Sequence, residues 1–208
     1  MNTTIDFQQK TKALIDSLKG ICASYGLGND GNEFKIITQV FLYKFMNDKF
    51  AHQIKQIDNS FNHEGWDEQL KALPQDDYEM LLLQLGPDTA ILKPEHFISS
   101  LFERQNEPEF AKLFDDTLRD IAITNNDIFS VQTGGGTKVT LFDRVSEFIT
   151  NTSQRDAFCK AIINKLVEFS FEHIFHEKYD FFATIFEYLI KDYNKDGGGK
   201  YAVLHTPP

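Results

Sequence analysis

Two histidines, His173 and His176, stand three residues apart in the stretch FEHIFHEK, a spacing that puts both rings on one face of a helix. Glu172 and Glu177 flank them. Imidazole and carboxylate are ligands that zinc accepts. The His-Glu-x-x-His pattern of a zinc protease is absent, however, and no third ligand stands at a recognised spacing. Histidine near a helix C-terminus also complements the helix dipole, so no metal site is expected. TGGGTK, Thr133–Lys138, is glycine-rich like a phosphate loop but lacks the Gly-x-x-x-x-Gly-Lys-Ser/Thr spacing, and it reads as a surface loop. The acid pairs Asp76-Asp77 and Asp115-Asp116 are adjacent in sequence. Neighbours on a helix diverge by about 100°, so neither pair forms a shared acid–base site. Glu33-Phe34-Lys35 lies upstream of Pro87-Asp88, the wrong order for a metal-dependent nuclease. There is no Gly-x-Ser-x-Gly, and nothing pairs a cysteine with a histidine. These residues define no catalytic constellation, and no catalytic residue is assigned.

Composition narrows the class. The chain has 208 residues, 41% hydrophobic and 25% charged, which is ordinary for a globular protein. Twenty are phenylalanine, and nine of these fall between Phe142 and Phe186, which predicts an aromatic core in the C-terminal half. No apolar run is long enough to span a membrane, and the N-terminus has no signal-peptide pattern. Cys22 and Cys159 are far apart in sequence and read as reduced thiols of a cytoplasmic protein. The net charge of −10 argues against a protein that coats DNA over its whole surface. The charge is uneven, with seven lysines against six acids in residues 1–60 and 14 acids against five bases in residues 61–120. Any nucleic-acid contact therefore falls on the lysine-bearing N-terminal helices.

The elements that would position such contacts are mainly α-helical, with little or no sheet and one possible short strand near 138–142. Thr3 and Thr4 can cap a first helix that ends near YGLGNDGN. EFKIITQVFLYKFMNDKFAHQIKQI has no breaker and is apolar almost all round, which predicts a buried helix at the centre of the domain. Pro74 and Pro94 each open a short helix, and EPEFAKLFDDTLRDIAI makes a third. SQRDAFCKAIINKLVEFSFEHIF reads as a long helix capped by Ser153, and KYDFFATIFEYLIKDYNK as a last helix stopped by Asp196-Gly197-Gly198-Gly199.

Two stretches carry a resemblance. NEFKIITQVFLYKFMNDKF, Asn32–Phe50, resembles the N-terminal helix of the modification (methyltransferase) subunit of type I restriction–modification systems. In that family an acidic-aromatic-lysine start leads into a Phe/Leu-rich run ending in Ser/Asn-Asp. DFFATIFEYLIKDYNKDGGGKYA…TP, Asp180–Pro207, resembles the family's junction, where a helix and a glycine-rich turn lead into an aromatic-Thr-Pro element. The middle, roughly 60–150, matches only in helical character. The resemblance implies a helical N-terminal domain over 1–150. It further implies long helices and a junction over 151–208, leading to a Rossmann-like catalytic domain that lies outside this chain. The family methylates adenine N6 with S-adenosylmethionine. Its modification subunits assemble on DNA with a second copy, a specificity subunit and a restriction subunit.

The family's Asp-Pro-x-x-Gly-x-Gly turn and Asn-Pro-Pro-Tyr/Phe motif, which hold the cofactor and a flipped adenine, are absent from these residues. The chain alone is therefore expected not to be catalytic and not to hold S-adenosylmethionine tightly. Thr206 and Pro207 occupy the place of the aromatic-Thr-Pro element and are the expected edge of a cofactor site, although Val203, Leu204 and His205 depart from the family's pattern before them. Lys35, Lys44, Lys49 and Lys55 are the candidate phosphate contacts, since such contacts require only placed positive charge. The alternative is a free-standing helical adaptor that binds a nucleic-acid enzyme.

Overall fold

A 27-residue run without proline or an internal glycine becomes the longest helix among the described residues, α2 (Gly31–Ile57). Fourteen of its residues are buried and spread around its circumference, as the unbroken apolar surface predicts. The computed structural model describes residues 3–28, 31–87, 89–126, 142–172 and 175. Preceding α2 is α1 (Thr3–Ser24). After α2 come α3 (Trp66–Lys71), α4 (Gln75–Leu82), α5 (Ile98–Glu103), α6 (Phe110–Thr124) and α7 (Arg155–Val167). Four short 3-10 segments, Asn59–Phe61, Pro94–His96, Val145–Phe148 and Thr152–Gln154, join them. The described residues are mainly helical and contain no strand. The expected strand near 138–142 falls, apart from Phe142, outside them.

Local chemistry sets the helix ends. α1 stops where Gly26 adopts φ +83°, a conformation a side chain would strain. The amide of Leu27 then donates to the Cys22 carbonyl at 2.9 Å and that of Gly26 to Ala23 at 3.1 Å, which is a Schellman closure. Pro74 is the N-cap of α4. Pro94 opens a 3-10 turn, and the helix proper starts only at Ile98. Ser153 does not cap α7. Asn151 does the local capping, its Oδ1 accepting from the Ser153 amide at 3.1 Å, and α7 begins at Arg155. The helix expected to run to Phe175 ends at Val167, because Phe169 and Phe171 leave the helical path to pack on the core.

α7 packs against α1, α5 and α6, and one continuous apolar cluster runs from Leu14 to Phe171. Tyr43 of α2 meets Phe114 of α6 edge-on at 6.4 Å, and Tyr25 meets Phe158 of α7 at 5.3 Å.

Polar side chains in the interior tie loops to helices. Glu109, at φ 58°, gives α6 no side-chain cap. Asp156 of α7 substitutes by accepting from the Ala111 amide at 2.7 Å. Asn125, at the end of α6, stands in for a neighbouring strand. Its Oδ1 accepts from the Ile91 amide at 2.7 Å, and its Nδ2 donates to the Ile91 and Ile121 carbonyls at 2.8 and 2.9 Å.

Replacing Asn125 by alanine strands these buried backbone groups, and the expected cost is about 2–3 kcal/mol. The urea midpoint should fall with an unchanged slope; an unchanged midpoint would show that water replaces the amide without penalty.

Candidate functional site

The four candidate lysines all lie on α2, but at about 100° per residue they do not share a face. Lys35 and Lys49 project to one side, Lys44 and Lys55 to the other. Lys35 is exposed. Lys49 is half-buried, with its Nζ 5.7 Å from the centre of the Phe45 ring. Lys55 is turned inward between Glu172, at 2.6 Å, and the face of Trp66, at 5.1 Å.

Lys44 corrects the expectation. It is 4% exposed, and its Nζ lies 3.0 Å from Asp48 Oδ1, so no phosphate can reach it. Its charge is committed to the interior. The two residues stand four apart on one helix, the spacing at which such side chains meet.

Asn47 and Asp48 are residues of α2 to which sequence reasoning gives no structural role, and both tie distant backbone to the helix. Asn47 Oδ1 accepts from the Ile98 amide at 3.0 Å and so caps α5. Asp48 Oδ2 accepts from the Phe171 amide at 2.8 Å, while Oδ1 takes Lys44 and the Asn47 side-chain amide. Around this point Phe171 stacks on Phe41 at 6.4 Å, and Phe175 lies against Phe45 and His52 at 5.5 and 5.6 Å. The step therefore fixes the segment after α7 along α2.

Elsewhere, polar clusters are self-satisfied. His96 is 1% exposed and uses both ring nitrogens. Nδ1 accepts from the Lys93 amide at 3.1 Å, which leaves Nε2 to carry the proton it donates to Asp120 at 2.6 Å. Lys93 Nζ completes the cluster 2.6 Å from Asp120. Glu95, His96 and Asp120 lie close enough to ligate an ion. A metal on Nε2 would require the proton to move to Nδ1, where it would oppose the Lys93 amide. The second acidic group, Asp67, Glu68 and Glu103, already surrounds the Lys71 ammonium.

Burial lowers the proton affinity of His96, opposed by its bond to Asp120. The Asp120 carboxyl is held below its ordinary range, first by Lys93 and then by His96. Burial pushes the Cys22 thiol up to about 12 and Cys159 well above its ordinary value, which makes both poor nucleophiles at neutral pH.

A polar cleft of about 410 Å³ opens between α6, α7 and the Val145–Phe148 turn. Five carboxylates face three basic groups in its lining, with Lys112 on Asp116 at 2.7 Å and Arg144 on Glu147 at 3.2 Å. Asp115 forms part of its wall, bound by the Ser146 amide and hydroxyl at 3.1 and 2.6 Å. Burial raises its carboxyl above the ordinary range despite those bonds. The cleft has no glycine-rich turn and no aromatic wall for a purine. Thr206, Pro207, His173, His176 and both triple-glycine stretches fall outside the described residues.

No known family model matches the chain, and neither a curated protein nor a solved structure is detectably similar to it. No helix among the described residues is long and apolar enough to cross a membrane.

Asp48→Ala should cost about 3–5 kcal/mol, because it leaves the Lys44 ammonium buried alone. Pairing it with Lys44→Met should restore much of that loss. Equal chemical-denaturation midpoints for the single and double variants would refute the pair's role. His96 contributes differently. Its depressed folded pKa makes its share of stability fully present above the unfolded value of about 6.5 and lost as pH falls through the folded value. The stability difference between the native protein and His96→Gln should shrink between pH 7.5 and 5.5, as read from urea midpoints; a difference constant with pH would exclude this linkage.

Proposed function

We propose that this chain is the N-terminal helical region of the DNA-modification subunit of a type I restriction–modification system, which methylates adenine N6. The observation that carries this reading is the Asn47-Asp48 step. It closes the first stretch that resembles the family, and it is the point where α2 holds both α5 and the segment after α7. The residues of the first stretch, Asn32–Phe50, thus serve architecture. They build a helical platform that orients a separate catalytic domain, and that domain binds S-adenosylmethionine and performs the methyl transfer. The platform's partners are the specificity subunit, a second modification subunit, the restriction subunit and DNA. Lys35 and Lys49 are the residues proposed to approach phosphate, with Lys44 removed from the set and Lys55 engaged by Glu172.

The acidity of residues 61–120 supports the second reading, an adaptor that binds a nucleic-acid enzyme through protein contacts. A fluorescent 30-base-pair duplex titrated with the chain separates the two. The modification-subunit reading expects weak binding at 50 mM salt that weakens steeply towards 200 mM. In the double variant Lys35→Glu/Lys49→Glu, affinity should fall and the salt slope should be shallower by about two. Absence of binding at 50 mM salt, or an affinity indifferent to the double substitution, would overturn the DNA role and favour the adaptor. Calorimetry with S-adenosylmethionine should give no micromolar binding to this chain.

A further inference from the structure

α4 is apolar on two sides. One side carries Tyr78, Leu81 and Leu82, continued by Leu85, and it faces the core; Tyr78 is anchored through its hydroxyl to the Leu92 carbonyl at 2.6 Å. An isolated surface helix would turn polar residues outward on the other side. Instead, Met80 and Leu83 stand there one turn apart, 61% and 81% exposed, and Leu83 is the most exposed of the large apolar side chains described. Asp76, Asp77 and Glu79 border them, all exposed, and no basic residue occurs between Pro74 and Gly86. The helix dipole accounts for Asp76 and Asp77 in the first turn. It accounts neither for Glu79 nor for two bare apolar side chains between the acids.

The nearby cations are already committed. Lys71 is held by Asp67, Glu68 and Glu103, and Lys93 by Asp120. The face thus presents an apolar pair within a negative field that α4 itself does not neutralise. A complementary surface needs apolar anchors one turn apart flanked by lysine or arginine, which is the pattern of a basic amphipathic helix.

We infer that the outer face of α4 is a docking surface for a basic amphipathic helix of a partner protein, anchored on Met80 and Leu83 and oriented by Asp76, Asp77 and Glu79. Burial of the two anchors supplies affinity, and the acids supply orientation and rate of encounter. The surface uses none of the α2 lysines, so it stands whether or not those lysines meet DNA.

The test uses the whole chain and a fluorescein-labelled helical 14-residue peptide of leucine and lysine, with leucines at i, i+3, i+4 and i+7. A scrambled peptide of the same composition is the control. Anisotropy should show saturable binding of the helical peptide. Met80→Ser/Leu83→Ser should weaken it at least tenfold, and Asp76→Asn/Asp77→Asn several-fold. The control pair Asp16→Asn/Glu64→Gln, which changes exposed acids elsewhere, should leave it unchanged. Both α4 side chains are exposed, so the thermal midpoint of Met80→Ser/Leu83→Ser should stay within about 2 °C of the native value. Equal binding of the scrambled peptide, or equal loss in the control pair, would reduce the effect to general charge attraction and overturn the site. Sedimentation showing a dimer that Met80→Ser/Leu83→Ser dissolves would overturn it too, in favour of a second copy as the occupant.

Discussion

The desolvated pair of Lys44 and Asp48 is the constraint on which the arrangement depends. Burying two charges is costly unless geometry and further hydrogen bonds satisfy them. Here each Asp48 oxygen has a partner, and one partner is the backbone amide of Phe171, far along the chain. The ion pair therefore does more than survive burial. It requires the segment after α7 to lie on α2, because only that segment completes the carboxylate's hydrogen bonding. Asn47 applies the same logic to α5, giving its first turn a cap that no residue of its own supplies.

The same solution recurs through the domain. Asp156 caps α6 from α7, Gln39 of α2 binds the Asp143 amide at 2.7 Å, and Asn125 brackets Ile91. In each case a side chain on one helix satisfies backbone on another element. Short helices such as α3, α4 and α5 are marginal by themselves. Long-range polar contacts add to apolar burial in holding such elements, so the long central helix sets the position of the short ones. The same habit explains why the clusters that resemble metal sites are not free for ligands: their donors are occupied in holding the fold.

Such a platform suits a role in assembly. Among the described residues the two thiols are sealed and their proton affinity is raised, while Asp115, on the wall of the polar cleft beside α6, has a carboxyl raised by burial and is tied to Ser146. Surface chemistry is where the chain can engage others. The lysines on the outer side of α2 and the acid-bordered apolar face of α4 have opposite charge, and they suit partners of opposite kind.

Much of the fold was legible from local pattern. Helical character, the buried α2, the glycine stop after α1 and the proline-opened α4 all arise from backbone preferences and apolar periodicity, which neighbouring residues alone express. The end of the helix at Val167 was not legible, because the competing stabilisation of Phe171 comes from Phe41 and Asp48 of α2, more than a hundred residues away. The place of Ser153 was lost for a local reason, since its hydroxyl donates to Asn151 Oδ1 at 2.7 Å and so turns away from the first turn of α7. Of the candidate site, the sequence by itself determined which residues carry positive charge, but not which of those charges meet solvent. Lys35 and Lys44 have the same side chain on the same helix; only tertiary packing decided that one is exposed and the other is sealed against Asp48. Periodicity reports the faces of a helix, whereas the neighbours that cover those faces are brought together by the fold.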